Sequence, residues 1–136
     1  MKKLMVLAIL CIFCMTLPLS IASAASWRFI AVTPFAAYYF DTDSIQTIKV
    51  DGDRCIQVWL RGDLQRVQAD GTKVFVQQVL YKKDQSLCMY KTLYRFDQYG
   101  NNLKPLPSQE TWENIIPGTL GEEIYKQVKA YCKDNL

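Results

Sequence analysis

The apolar pattern of this chain changes its period near residue 119, and no other feature constrains the fold as strongly. Beyond that point, apolar side chains recur at every fourth position: Leu120, Ile124, Val128 and Cys132. Such a stripe predicts an amphipathic helix that packs one face against a neighbouring layer. Thr119 and Glu122 have the spacing of a capping box, which indicates that the helix begins here.

The sequence before this helix carries the signals of β-strands. Short segments alternate apolar and polar side chains, or are dense in aromatic and β-branched residues, and turn-forming residues separate them. We predict six strands, two within 27–40 on either side of Pro34 and the others at 45–50, 55–60, 73–81 and 87–96. Pro105 and Pro107 are expected to exclude regular structure from the segment that follows. The predicted fold is α+β, an antiparallel sheet of about six strands with the C-terminal helix packed on one face.

The first residues have the three parts of a secretory signal. A positive start, Met1-Lys2-Lys3, precedes an apolar run from Leu4 to Met15, and Ala22-Ser23-Ala24 supplies small residues for cleavage. The apolar run is shorter than the roughly 20 residues that a membrane-spanning helix needs. We therefore predict a cleavable signal peptide at residues 1–24, no transmembrane span after cleavage, and a single domain at residues 25–136.

The composition excludes several kinds of chemistry. The chain contains no histidine, so catalysis by Ser-His-Asp or Cys-His groups and histidine-ligated metals are excluded. Because Lys2 and Lys3 leave with the signal, the net charge falls from +3 to +1, which gives no electrostatic case for nucleic-acid binding. The aspartate pairs at 41/43 and 51/53 are expected to form turns rather than a calcium loop. We expect a protein without catalysis, cofactor or metal.

Three cysteines remain after cleavage, and outside the cytoplasm two of them are expected to pair. Cys132 lies on the apolar stripe of the helix, and Cys88 shares a strand face with Tyr94, so we predict a Cys88–Cys132 disulfide. Cys55 is then left as a buried thiol on the opposite side from the aliphatic face of its strand. Trp59 leaves an alternative open, because it could turn that side inward and make Cys55 the partner of Cys132.

Two sets of side chains are candidates for binding. A basic hairpin interleaved with tyrosines could bind an acidic or glycan surface, or it could be a solvated strand face that protects an edge. Its basic residues are Lys82, Lys83, Lys91 and Arg95. If Asp84-Gln85 forms a two-residue turn, Gln78 pairs with Lys91 and Val74 with Arg95. The tryptophans Trp27, Trp59 and Trp112 are expected in the core, with a ligand cleft between helix and sheet as the alternative.

Several segments of the chain also form an ordered set. They are Trp27, Tyr39-Phe40-Asp41 with Ser44-Ile45, Val58-Trp59, Phe96-Asp97-x-x-Gly100-Asn101, Thr111-Trp112-x-x-Ile115-x-Pro117-Gly118-Thr119, and Cys132. In this order they resemble the bacterial surface-adhesin protein E family. The resemblance implies a curved sheet with the helix across its concave face. It also implies display on a Gram-negative cell surface and binding of host extracellular-matrix and serum proteins.

We therefore expect an exported, adhesin-like binding module of a bacterial cell envelope. It would reside in the periplasm, on the outer surface or in the medium, and would bind a protein or extracellular-matrix partner. The sequence does not define its oligomeric state and is compatible with a dimer. A second hypothesis is a periplasmic or envelope protein that binds a small apolar ligand between helix and sheet. A pocket lined by Trp and Tyr would favour the second hypothesis. A filled core with an exposed aromatic or basic sheet face would favour the first.

Overall fold

The computed structural model describes residues 25–135, so the predicted signal peptide lies outside the described residues. This part of the chain forms eight strands followed by one α-helix. The strands are β1 (Trp27–Val32), β2 (Ala36–Asp41), β3 (Gln46–Val50), β4 (Asp53–Leu64), β5 (Val74–Lys82), β6 (Leu87–Phe96), β7 (Asn102–Leu106) and β8 (Glu113–Asn114). The helix is α1 (Leu120–Asn135), and a single 3₁₀ turn covers Thr42–Ser44.

The strands form one antiparallel sheet. Its main path runs β1-β2-β4-β5-β6-β7. β3 pairs with the first half of β4, where β2 does not reach, and β8 pairs with the start of β6. The predicted α+β fold, an antiparallel sheet with a C-terminal helix, is confirmed, with eight strands instead of about six.

β4 is the longest of the described strands, and it continues through Gly62 to Leu64, four residues beyond the predicted strand at 55–60. Gly62 lies between Tyr38 on β2 and Phe75 on β5. The rings of Tyr38 and Phe75 meet edge to face with centroids 6.2 Å apart. A Cβ atom at Gly62 would lie 2.2 Å from carbon atoms of the Phe75 ring. The ring therefore fills the space of the missing side chain and lets the strand continue.

We expect Gly62→Ala to lower the free energy of unfolding by about 1–3 kcal/mol, because the added methyl group forces the Phe75 ring to move. Urea denaturation measures this loss. The double variant Gly62→Ala with Phe75→Leu lacks the clashing ring atoms, so its loss should be smaller than the sum of the two single losses. Additive losses would show that the ring does not occupy this space.

β7 contains Pro105, so the prediction that proline excludes regular structure here is wrong. The strand pairs only with β6 on the main path, through Leu93–Leu106 and Phe96–Asn102, with an irregularity between them. Proline cannot donate a backbone hydrogen bond, but an edge strand has one side without a partner strand and tolerates it there. The edge position explains why the element forms.

α1 lies across one face of the sheet, and the core fills the space between them. Ile124, Val128 and Cys132 are all buried, so the predicted stripe does face the sheet. The sheet supplies Phe40, Ile56, Val58 and Val79, which have no exposed surface. The aliphatic face of β4 therefore meets the helix, as the alternation of its residues predicted.

The start of α1 is capped close to the predicted pattern. The Thr119 hydroxyl oxygen accepts from the backbone N–H of Glu122 at 3.4 Å. The Glu122 carboxylate reaches back to the N–H of Gly118 at 2.5 Å, one residue earlier than a capping box requires. Hydrogen bonds from Lys126 and from Gly118 hold the pKa of Glu122 below its ordinary value.

Candidate binding surface on the open face of the sheet

The face of the sheet opposite α1 is aromatic. Side chains alternate between the two faces of a strand, so the residues beside Ile56 and Val58 on β4 point away from the helix. Across β1, β2, β4, β5 and β6, the set on this open face includes seven apolar side chains. We call this set the aromatic face: Trp27, Phe29, Tyr39, Trp59, Val76, Tyr94 and Phe96.

The rings of the aromatic face are packed against one another but remain accessible. Trp59 and Tyr94 have ring centroids 5.9 Å apart, and Phe29 and Tyr39 meet edge to face at 5.8 Å. Phe29 is nevertheless 53% exposed and Tyr94 42% exposed. Contiguous exposed rings of this kind are typical of an interaction site rather than of a solvated sheet.

A shallow groove of about 420 Å³ runs between these rings. Its lining comprises Ala25, Trp27, Asp41, Trp59, Val76, Tyr94 and Phe96. A second depression of about 380 Å³ also touches Val76 and Phe96, and extends toward the turn at residues 97–100. The two depressions share Val76 and Phe96, so they adjoin on the open face, with the first lined mainly by apolar side chains and the second also by Arg61, Lys73 and Asp97.

Hydrogen bonds hold the residues next to Trp27 in place, so that Trp27 lies on this surface. The backbone N–H of Ser26 donates to Asp41 Oδ1 at 3.0 Å, and the Thr42 N–H donates to the Ser26 carbonyl at 3.0 Å. Asp41 is buried and also accepts from the N–H of Asp43 at 3.1 Å. These bonds agree with the prediction that the 41/43 pair forms a turn, and they hold β1 in place.

Arg61 is the main charged group beside the rings, and its charge is neutralised. Its Nε donates to Asp63 Oδ1 at 2.6 Å. Its guanidinium carbon lies 5.8 Å from the centroid of the Trp27 ring, a cation–π contact. The pair therefore adds a polar rim to the groove and orients the Trp27 indole.

The prediction that the tryptophans form the core is wrong. Trp27, Trp59 and Trp112 are all partly exposed, and the buried core consists of smaller aliphatic residues with Phe40 and tyrosines. Trp27 and Trp59 lie on the aromatic face, and Trp112 lies under Lys82, whose Nζ is 4.8 Å from the ring centroid. Trp59 alternates with the aliphatic residues of β4, so the same pattern that buries Val58 directs Trp59 outward.

The β5–β6 hairpin has the predicted register near its turn but not along its whole length. Tyr81 pairs with Cys88 and Val79 with Tyr90, which is the register that the two-residue turn implied. An irregularity between Gln77 and Val79 then shifts the pairing by one residue. Val74 consequently pairs with Phe96 and not with the predicted Arg95.

Three of the four basic residues predicted as a patch form ion pairs. Lys82 Nζ lies 2.8 Å from Asp53, Lys91 Nζ lies 3.3 Å from Glu110, and Arg95 Nη1 lies 2.6 Å from Asp70. Arg95 also donates to the Lys104 carbonyl. Lys83 is different, because it lies at the end of the hairpin beside α1. The hairpin thus provides no continuous row of unpaired charges.

The predicted Cys88–Cys132 disulfide is absent from the structure, in which Cys55, Cys88 and Cys132 are buried free thiols. Cys88 lines a small cavity with Gly121, in the first turn of α1. Cys132 lies eleven positions further along the helix, which corresponds to about 16 Å. Both thiols belong to the buried core. A disulfide requires Cα atoms within about 7 Å.

Cys55 lies on the face opposite Ile56 and Val58, as the alternation predicted. Burial raises the pKa of all three thiols. Among residues 25–135, no group of three or more His, Cys, Asp or Glu side chains is placed to hold a metal ion. The arrangement on the open face offers apolar contact, ring stacking and a polar rim, which are means of binding.

Phe29 and Val76 were not predicted as binding residues from the sequence, and Tyr94 was considered only as one of the tyrosines of the basic hairpin. For Trp59 the signal lay in the alternation along β4. Regular alternation along β6 would place Tyr94 on the covered face with Cys88, and the irregularity opposite Gln77 and Val79 moves it to the open face. Comparisons of the chain with protein-family models, with curated proteins and with solved structures find no match. Within the described part of the chain, no helix has the length and apolarity to cross a membrane.

Proposed function

We propose that this protein is an exported, non-catalytic binding module that holds a protein partner against its aromatic face. The observation that carries the proposal is the exposure of rings on the aromatic face, where Phe29 and Tyr94 are accessible and Tyr94 also lines the groove. Interface centres are enriched in aromatic side chains and have few charges. Here the rings are central, and the ion pair of Arg61 with Asp63 lies beside them.

The packing of the core favours a binding site on the open face of the sheet over one between the helix and the sheet. Phe40, Val58 and Val128 have no exposed surface, and they lie where a ligand between helix and sheet would have to enter. Every buried side-chain polar atom of the described residues has a hydrogen-bond partner. A small apolar ligand under α1 would have to displace this packing.

The remaining parts of the proposal rest on the sequence. The signal-like segment at residues 1–24 supports export, and the ordered resemblance to surface-adhesin protein E supports a place in a Gram-negative envelope. The lack of histidine and of a recognisable catalytic motif supports a role in binding rather than in catalysis. An extracellular-matrix protein is the partner that this combination favours.

The test replaces the two exposed rings of the aromatic face, Phe29→Ser with Tyr94→Ser. We expect binding to surfaces coated with laminin, fibronectin or type IV collagen to weaken at least about tenfold, because truncated aromatic contacts commonly cost more than 1 kcal/mol each. Surface plasmon resonance measures the change for each coated protein. Circular dichroism of the double variant checks that the fold is retained.

A matched control exists in the same chain. Phe35→Ser with Tyr99→Ser removes the same two ring types at positions that are 76% and 79% exposed and outside the aromatic face. This control should bind like the unaltered protein. Equal losses in both double variants, or no binding of the unaltered protein to any of the coated proteins, would contradict the proposal.

A further inference from the structure

A basic depression lies between α1 and the end of the β5–β6 hairpin. Its volume is about 550 Å³, and it is lined by Lys83, Lys126, Lys129, Ala130, Cys132 and Lys133. Four of these six residues are lysines and none is acidic. We call it the lysine depression.

Specific contacts bring the lysines together. The Tyr125 hydroxyl on α1 lies 3.4 Å from the carbonyls of both Lys82 and Lys83, which docks the hairpin end onto the helix. The Lys83 N–H donates to the Arg54 carbonyl at 2.9 Å, so the hairpin end is also held from β4. Lys129 Nζ lies 5.5 Å from the centroid of the Tyr125 ring. One tyrosine thus orients basic residues from both elements.

Most of the charge in the depression is unpaired. Lys126 forms an ion pair with Glu122 at 2.6 Å, on the same helix. Lys83, Lys129 and Lys133 have no ion-pair partner among the described residues. Three lysines without an ion pair to any described side chain, in a protein of small net charge, give this surface an electrostatic preference for anions.

The spacing of the lysines fits a linear polyanion. Lys126, Lys129 and Lys133 recur at intervals of three and four residues and therefore lie on one side of α1. The row spans about 10 Å along the helix axis. A chain that carries repeated negative groups can contact several of these lysines at once, whereas a single small anion cannot.

The neighbouring side chains favour a soluble polymer over a membrane surface. Helices that bind anionic membranes place large apolar residues beside their lysines. The apolar side chains that line the depression are Ala130 and the buried Cys132. Lysine is a point charge without the planar fork with which arginine recognises carboxylates, so the depression selects for charge density.

We propose that the lysine depression binds a linear sulfated polysaccharide, at a surface distinct from the aromatic face. The proposal rests on charge complementarity and does not depend on the protein partner proposed above. This basic surface differs from the patch that the sequence predicted on the hairpin. Of the four residues of that patch, only Lys83 lines the lysine depression.

The experiment measures binding of the purified protein to heparin by isothermal titration calorimetry. We expect binding that weakens steeply as NaCl is raised, because bound counterions are released from the polymer. Lys129→Gln with Lys133→Gln should weaken binding roughly tenfold or more at 0.1 M NaCl, since two of the polymer's contacts are lost. The control Arg66→Gln with Lys104→Gln removes the same charge at exposed positions outside the depression and should change binding less than about twofold.

Two further arms test whether the lysine depression acts independently of the aromatic face and prefers a sulfated polymer. The aromatic-face variant Phe29→Ser with Tyr94→Ser should retain full heparin binding, so failure of the proposed function would not affect this result. Poly-glutamate and vesicles containing anionic lipid should bind more weakly than heparin at equal salt. Three results would each overturn the proposal. One is an equal loss of heparin binding in the double lysine variant and in its Arg66→Gln with Lys104→Gln control. The others are no heparin binding at 0.05 M NaCl, and binding of vesicles or poly-glutamate as tight as that of heparin.

Discussion

Phe40→Ala should lower the free energy of unfolding by about 3–5 kcal/mol, the largest loss that we expect from a single truncation in this domain. Phe40 has no exposed surface and lies on the helix-facing side of β2. Its ring meets the Tyr131 ring edge to face, with centroids 5.8 Å apart. Truncation would remove this contact and leave a cavity between sheet and helix that the surrounding side chains can only partly fill.

Urea denaturation followed by circular dichroism gives the comparison. Domains of this kind have total stabilities of about 5–15 kcal/mol, so such a loss would be a large share of the total and would clearly lower the urea midpoint. Phe35→Ala is the matched control, because Phe35 is 76% exposed, and its effect should stay within about 0.5 kcal/mol. Similar losses at both positions would mean that Phe40 does not lie between the sheet and α1.

Most strands and the helix could be predicted because the spacing of apolar residues along the chain indicates which side chains are buried. Ile56, Val58 and Leu60 alternate with polar or aromatic residues, and all three are buried against α1. The apolar stripe of α1 and its cap at Thr119 could also be predicted, since helix periodicity and capping are local features. These elements depend on residues that are close in sequence.

The features that were mispredicted depend on contacts between distant residues. β4 continues past Gly62 because the Phe75 ring covers that glycine, and Phe75 is thirteen residues away. β7 forms despite Pro105 because it lies at an edge of the sheet. The shift after Gln77 moved Arg95 away from its predicted partner, and no turn signal announces such an irregularity.

The candidate surface was mispredicted for a related reason. Composition suggests that tryptophans in a small domain are buried, and that inference ignores which face the helix covers. One helix can cover only one face of a sheet, and α1 packs against the aliphatic face of β4. Trp59 is left on the other side by the alternation along β4. Tyr94 joins it there only because of the irregularity in the β5–β6 pairing, so the covered face alone does not predict the whole surface.

The three cysteines lead to a second prediction of large effect, in this case a kinetic one. The native protein should contain three free thiols that react with 5,5′-dithiobis(2-nitrobenzoic acid) at least roughly a thousandfold more slowly than after unfolding in urea. Each thiol is buried, so reaction needs an opening that costs about 4 kcal/mol or more. Burial also raises the pKa of each thiol, which lowers the reactive thiolate fraction near pH 8.

Gln98→Cys supplies the internal control, because residue 98 lies in an exposed turn and its new thiol should react at the rate of a free thiol. A non-reduced peptide map of protein purified from an oxidising compartment then tests the pairing directly. A peptide that links Cys88 to Cys132 would contradict the free thiols of the structure and restore the disulfide predicted from the sequence. A link between Cys55 and Cys132 would contradict the structure further, because it requires β4 to present the opposite face to the helix.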